Sequence, residues 1–122
     1  MNVKEKKTKF ETFNDGIAYI YKLTDVSVPG MRPALKPKLY LKTVFEYRTI
    51  GVRRNYEAMQ AAVRLDEMIK IIQNRQLSPQ DIVVVDGIQY SIKQIQHKND
   101  TAPRTTLISL QRLEEDYDSL LE

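Results

Sequence analysis

The segment IVVVDGIQYSIKQIQ constrains the fold of this chain more than any other part of its sequence. Two apolar, β-branched runs, Ile82 to Val85 and Ile88 to Ile95, are separated only by Asp86 and Gly87. A two-residue type I′ turn requires positive φ at both central residues, and Asp-Gly is one of the pairs that adopt it most readily. The sequence therefore predicts a β-hairpin with Asp86 and Gly87 at its turn.

Alternating apolar and polar residues predict further strands on both sides of this hairpin. The alternation begins after Gly16 in IAYIYKL, returns in LYLKTVFEYR, and returns again in TTLISLQRL after the polar turn HKNDTAPR. A chain of 122 residues has the length of one domain. We therefore expect a mainly β fold: a small antiparallel β-barrel or sandwich of five or six strands with one short helix.

Two periods compete in the segment NYEAMQAAVRLDEMIKIIQN. Its alanines fit helical spacing, and Asn55 is a candidate N-cap, whereas the apolar residues that follow also alternate at strand spacing. We predict a short helix from Tyr56 to about Ala62 and a strand from Val63 to Ile72. A single helix that runs through Ile72 is the alternative.

Composition along the chain divides it into segments. Residues 1–15 are polar and Lys-rich without a clear period, which predicts a flexible N-terminal arm before a barrel-like domain at 16–113. Prolines at 29, 33 and 37 make ladder pairing difficult and predict a long loop at 28–38. Residues 114–122 form an acidic C-terminal tail.

The two halves of the chain differ in charge. Residues 1–61 carry 12 basic and 6 acidic residues, a net charge of +6, whereas residues 62–122 carry 7 and 10, a net charge of −3. Such asymmetry attracts a polyanion to the basic part, or brings the basic face of one copy against the acidic face of the next. The candidate interface residues are Arg32, Lys36, Lys38, Arg53 and Arg54 on the basic side and Glu114, Glu115, Asp116 and Asp118 on the acidic side.

The sequence lacks the residue patterns of common enzymes. It has no cysteine, one histidine (His97) in a polar turn, no G-x-S-x-G motif, and four scattered glycines that cannot form a phosphate-binding loop. We expect no catalytic residues, no cofactor and no metal. No apolar run approaches the roughly 18 residues of a membrane-spanning helix, so no membrane partner is expected.

Tyrosines beside basic residues leave a nucleic-acid interpretation open. Tyr40 lies near Lys42, and Tyr47 precedes Arg48, which is a pattern that stacks bases in single-strand-binding barrels. Such tyrosines also occur at the edge of a core or at a protein interface. A monomeric basic β-barrel that binds single-stranded nucleic acid is therefore the alternative function.

The order of segments resembles a known family. The runs TIGVRRNYEAMQAAVRLDEMIKI, SPQDIVVVDGIQYSIKQIQ and TTLISLQRLEEDYD, within about residues 14–118, are similar to head-tail adaptor or head-closure proteins of tailed bacteriophages and of prophages in Gram-positive bacteria. In that family a small β-barrel contains a short helix, like AMQAA here, that leads into a strand.

The resemblance implies a virion assembly role without chemistry. Copies would form a ring under the portal, close the DNA-filled head and offer a surface to the tail. The implied partners are further copies of the chain, a portal or adaptor protein on the head side, and a tail terminator or tail protein on the tail side. Packaged double-stranded DNA would pass nearby without sequence-specific binding. The implied location is the virion neck, and the bacterial host cytoplasm during assembly.

Overall fold

The computed structural model describes residues 9–32, 34–118 and 120 of the chain. These residues form eight strands and one helix, with a 14-residue strand as the longest element. In chain order the elements are β1 (Lys9–Phe10), β2 (Gly16–Asp25), β3 (Leu35–Arg48), α1 (Val52–Gln60), β4 (Glu67–Ile72), β5 (Ile82–Val85), β6 (Ile88–Lys98), β7 (Thr101–Ala102) and β8 (Thr105–Arg112).

Six of the strands close into an antiparallel barrel, which confirms the predicted mainly β fold and selects the barrel over the sandwich. The strand order is β2-β3-β4-β8-β6-β5, and β5 pairs back onto β2. The short strands β1 and β7 form a separate parallel pair. A closed barrel leaves few free strand edges, so any edge that remains open is a candidate site for pairing with another chain.

The barrel interior is filled by branched and aromatic side chains from alternate positions of the strands. Period-2 alternation places one set of residues inside and the other outside, as expected for strands of a small barrel. The fully enclosed core residues with exposures of 0–1% are Ala18, Ile20, Phe45, Ile69, Ile71, Val83, Val85, Ile92, Ile108 and Leu110. Removal of each of these side chains except that of Ala18 from water contributes about 1.5–3 kcal/mol.

The predicted hairpin is confirmed in its register and its turn. Val85 pairs with Ile88, and the two residues between them have positive φ, 51° at Asp86 and 76° at Gly87. A glycine tolerates this conformation without steric cost, and aspartate is among the few other residues that adopt it.

The segment between β3 and β4 contains both a helix and a strand, so the alternative of a single helix through Ile72 is wrong. The helix spans Val52–Gln60 and so begins and ends earlier than predicted. The strand spans Glu67–Ile72, which begins later than the predicted Val63 and ends at Ile72 as predicted. Asn55 is not the N-cap. Gly51 holds that position in an extended conformation without a side-chain cap, and the Asn55 amide already donates to its carbonyl.

The loop predicted at 28–38 is shorter because β3 begins at Leu35 and includes Pro37. Pro37 faces Leu23 of β2, and β4 pairs with β3 only from Phe45 onward. A proline lacks the amide hydrogen of a ladder bond, but it is tolerated where the strand has no second neighbour. The prediction that the loop extends through residue 38 was therefore wrong.

Chain ends cover two parts of the outer barrel wall. Residues 9–15 lie beside β3, β4 and β7, with the Glu11 amide donating to the Ala102 carbonyl and the Asp15 amide to the Phe45 carbonyl at 3.0 Å each. The predicted arm also includes residues 1–8, which are outside the described residues. At the other end, Tyr117 and Leu120 pack against Tyr21.

Candidate interaction surface

One exposed apolar surface lies on the hairpin formed by β2 and β3. Beyond Tyr21, β3 is the one described strand that pairs with β2, so this part of the hairpin extends past the strands that close the barrel. Several large apolar side chains there are exposed to solvent by half or more: Val26 (52%), Val28 (67%), Met31 (71%) and Leu35 (56%). Exposed apolar residues in a cluster commonly mark an interaction surface.

Hydrogen bonds order the tip of this hairpin. The Asp25 carboxylate accepts from the Ser27 amide at 2.9 Å and from the Ala34 amide at 3.3 Å. The hydrogen bond from the Ser27 amide is the main reason that the pKa of Asp25 is lowered. The Val26 amide donates to the Ala34 carbonyl at 2.8 Å. The tip therefore carries its exposed side chains on a hydrogen-bonded backbone.

The two faces of the projecting hairpin differ in chemistry. A register shift after Ile20 leaves Tyr21 opposite Leu39 and Leu23 opposite Pro37, so this face is apolar as far as the tip, where Asp25 lies opposite Leu35. The other face pairs Lys22 with Lys38 and Thr24 with Lys36. Hereafter we use "apolar face" for Tyr21, Leu23, Leu35, Pro37 and Leu39, and "lysine face" for Lys22, Lys36 and Lys38.

Only one of the three lysine-face charges is balanced within the part of the chain that the structure describes. Lys22 Nζ lies 3.0 Å from the nearly buried Asp81 carboxylate and 4.7 Å from the centre of the Tyr40 ring. Lys36 and Lys38 have no carboxylate within ion-pair distance there. Within the described residues, the lysine face therefore carries positive charge at Lys36 and Lys38 that no carboxylate neutralises.

A groove of about 780 Å³ borders the apolar face. One wall is formed by Leu35, Pro37 and Leu39, and the other by Tyr117 and Leu120 of the C-terminal segment. Lys36, Lys42 and Asp118 add charged groups to the lining, together with Tyr19 and Tyr21. Basic and acidic residues that are distant in the sequence therefore line one groove.

The C-terminal segment is held to the barrel by specific bonds. The Gln89 side chain donates to the Tyr117 carbonyl at 2.7 Å and accepts from the Tyr117 amide at 2.8 Å. The Tyr21 hydroxyl also donates to the Leu120 carbonyl. Glu114, Glu115, Asp116 and Asp118 are all exposed.

The helix arginines occupy different environments. Arg53 is 93% exposed and pairs with Glu57 one turn later at 3.2 Å. Arg54 instead reaches Ser109 Oγ at 2.9 Å and also bonds to Gln96 on the outer barrel wall. Arg54 therefore attaches the helix to the barrel, whereas the exposed Arg53 and Arg32 remain available to a partner.

A buried lysine that the sequence analysis did not single out anchors the N-terminal segment. The Lys70 side chain is 3% exposed, and its Nζ lies 2.5 Å from Glu11 Oε2 and 3.7 Å from Glu46 Oε1. Nζ also lies 5.1 Å from the centre of the Phe13 ring. The hydrogen bond from Lys70 lowers the pKa of Glu11. No sequence signal distinguishes Lys70 from a solvated lysine.

Two other titratable groups have structural contacts. The Tyr47 hydroxyl donates to the Asp86 carboxylate at 2.5 Å, and burial together with this bond raises the pKa of Tyr47. His97 Nδ1 lies 2.9 Å from Thr106 Oγ1, and burial lowers the pKa of His97, with a contribution from Arg75. Within residues 9–32, 34–118 and 120, no three histidine or carboxylate side chains cluster as metal ligands would.

The fold and surface define a class: a small closed β-barrel with an amphipathic projecting hairpin. No family model matches the chain, and a search of curated proteins finds no match. The helix in the described part of the chain is too short to cross a membrane.

Proposed function

We propose that the protein is a virion assembly protein, a head-tail connector subunit that forms a ring under the portal, closes the DNA-filled head and provides a tail attachment surface. The observation that carries this proposal is the projecting hairpin, which exposes Val28 and Met31 beside the unneutralised Lys36 and Lys38. A barrel that functions through contacts needs such a surface. The resemblance of segment order supports the same role.

The hairpin is the candidate contact to the head side, meaning a portal or adaptor protein. It extends past the closed part of the barrel, and its tip is ordered by Asp25. The acidic segment at 114–118 is attached to the same molecule through Gln89 and lies beside the hairpin. We therefore assign the hairpin to a partner protein, rather than to the acidic segment of the next copy.

Ring formation requires a heterologous contact between copies, because the same two surfaces must meet repeatedly around an axis. The exposed side of α1 offers a second apolar surface, since Val52 is 90%, Tyr56 62% and Met59 69% exposed. These residues are separated by four and three positions, which places them on one side of the helix. We propose that this side contributes to contacts between ring neighbours at the virion neck.

The alternative, a barrel that binds single-stranded nucleic acid, is less well supported. Base stacking requires free aromatic faces. The Tyr19 ring lies 5.6 Å from Lys42 Nζ, and the Tyr40 ring lies 4.7 Å from Lys22 Nζ, so one face of each ring already has an ammonium group over it.

Deletion and complementation test the proposed function. In the phage or prophage that encodes the chain, deletion should leave DNA-filled heads and free tails that do not join, and added purified protein should restore joining. Tailed, infectious particles from the deletion strain would refute the proposal. Tight binding to single-stranded DNA at about 150 mM salt, well below the 10⁻⁴ to 10⁻⁶ M typical of non-specific complexes, would favour the alternative.

A charge-reversal pair tests the hairpin within the same assay. Lys36→Glu with Lys38→Glu should fail to restore joining, since both lysines are exposed and unpaired among the described residues. Lys93→Glu with Arg104→Glu is the matched control, because it changes charge equally at exposed positions of β6 and the β7–β8 loop. Equal restoration by both variants would remove the hairpin lysines from the contact.

A further inference from the structure

Among residues 9–32, 34–118 and 120, none pairs with the outer edge of β3 along the projecting hairpin. From Lys36 to Val44, no backbone hydrogen bond in the described part of the chain connects β3 to any element except β2. Leu35, Lys36, Lys38 and Leu39 are all exposed. An open strand edge presents unpaired amide and carbonyl groups, to which another chain can add a strand.

The register identifies the backbone groups at this edge. The Val26 amide donates to the Ala34 carbonyl, so the backbone groups of Ala34 point toward β2. Alternation along an antiparallel strand then directs those of Leu35, Pro37 and Leu39 to the open side. The edge thus offers three carbonyl acceptors and two amide donors, since proline has no amide hydrogen.

The side chains beside this edge favour one pattern of added strand. On one side of the sheet an added strand would meet the apolar face, and on the other side it would meet the lysine face. Successive residues of a strand point to opposite faces. We propose that the β3 edge binds an extended segment of a partner protein in which acidic and apolar residues alternate. The acidic residues meet Lys36 and Lys38, and the apolar residues extend the row of Leu35, Pro37 and Leu39.

The same lysines disfavour pairing of the edge with its own copy. Two β3 edges brought together would place Lys36 and Lys38 against identical charges, and Pro37 would remove a donor from each edge. Lysine and proline at an edge are recognised means of preventing such self-association. An acidic strand is not repelled, so the edge selects its partner by charge. The inference rests on the fold and goes beyond the proposed function, because it needs no phage component.

Peptide binding to the full-length protein tests the inference. The probe is a synthetic peptide of alternating Glu and Val with a serine at each end, and the control is a peptide of equal composition with its glutamates and valines in separate blocks. Titration calorimetry should show that the alternating peptide binds about tenfold or more tightly than the control, because only alternation satisfies both faces of the sheet. Equal binding of the two peptides would overturn the proposal.

Backbone methylation and charge reversal identify the site. Two N-methylated peptides are compared, one methylated at every odd-numbered amide and the other at every even-numbered amide. One set should abolish binding and the other should preserve it, since only every second amide of an edge-paired strand faces β3. Lys36→Glu with Lys38→Glu should weaken binding by about tenfold, whereas Lys93→Glu with Arg104→Glu should not. Equal affinities for the two methylated peptides, or an affinity that the double lysine substitution leaves unchanged, would refute edge pairing. Self-association abolished by Lys36→Glu with Lys38→Glu would assign the edge to a second copy and overturn the proposal.

Discussion

Replacement of Lys70 by methionine tests whether a buried ion pair holds the N-terminal segment on the barrel. The Lys70 ammonium is almost completely enclosed and lies 2.5 Å from Glu11, whose side chain is 14% exposed. Methionine has a similar shape and no charge, so Lys70→Met removes the cation without opening a large cavity. The Glu11 carboxylate then loses its main partner while it remains largely enclosed.

The expected cost follows from this geometry. Removal of one partner of a buried pair typically destabilises a protein by about 3–5 kcal/mol. Glu11 precedes the barrel on a terminal segment and can move into water, so we expect about 2 kcal/mol for Lys70→Met. For a domain of this size that loss lowers the melting temperature by about 6–10 °C. Glu46, 3.7 Å from Lys70 and 27% exposed, adds less because water already screens it.

A double-mutant cycle separates the ion pair from general packing. Lys70→Met combined with Glu11→Gln leaves no uncompensated carboxylate at position 11, so the double variant should be more stable than Lys70→Met alone by about 1 kcal/mol. Chemical denaturation of the full chain, followed by circular dichroism, measures each corner of the cycle. Additive effects of the two substitutions would show that the contact does not hold the segment, and the reasoning would fail.

Three further predictions concern turns, helix attachment and pH. Gly87→Val should cost about 1–3 kcal/mol of stability because φ is 76° there, although nothing lies within 4 Å of the new Cβ. Gly51→Ala, at a φ of −67°, should cost less than about 0.5 kcal/mol, and equal melting temperatures for the two variants would contradict the turn. Arg54→Ala should cost about 1–2 kcal/mol by loss of its bonds to β6 and β8, whereas Arg53→Ala should change stability by less than about 0.5 kcal/mol; equal denaturation midpoints would remove Arg54 from that role. The pKa of Glu11 is lowered in the folded state, so its stabilisation should be complete above the unfolded-state pKa and disappear as the pH falls through the folded-state value. Denaturation of wild type and Glu11→Gln should thus differ at neutral pH and converge in strong acid, and a constant difference across that range would contradict the assignment.

Local sequence signals predicted the strands and the central turn, because these depend on neighbouring residues. Asp86 and Gly87 specify the turn by their own φ preferences, and alternation identifies a strand such as β8 without knowledge of its partners. Closure of the barrel through β5 and β2 could not be read in this way. That pairing joins residues far apart in the sequence, such as Ile20 and Val83.

The two local errors have physical causes in the tertiary structure. Asn55 fits the composition of an N-cap, but the chain turns into the helix earlier, so that Arg54 reaches Ser109. Pro37 fits the composition of a loop, but one side of β3 is open there and no ladder bond is lost. In both cases a residue preference was outweighed by a contact that the sequence does not display.

The burial of individual cations could not be predicted for a related reason. Sequence charge placed Arg54 in one candidate interface set with Lys36 and Lys38 and did not single out Lys70. In the structure Lys36 and Lys38 are exposed while Arg54 is partly covered and Lys70 is buried, which charge patterns do not report. Whether a cation is available depends on what covers it. For Arg54 that is the outer barrel wall, and for Lys70 it is the N-terminal segment.

The strongest reason to propose the hairpin as a binding surface is that the terminal segments cover other outward-facing side chains of the barrel but leave the hairpin exposed. The N-terminal segment covers Lys70 and the C-terminal segment covers Tyr21. Both contacts stabilise the fold, because each excludes water from side chains that point outward from the strands. No comparable need within the described residues accounts for Leu35 and Leu39, which are 56% and 46% exposed beside an open edge. An apolar row and lysines that no described carboxylate balances, on opposite faces of the first part of β3, destabilise the isolated molecule slightly. A partner strand would offset both costs at once, because its backbone fills the edge while its alternating side chains cover the row and neutralise the charge.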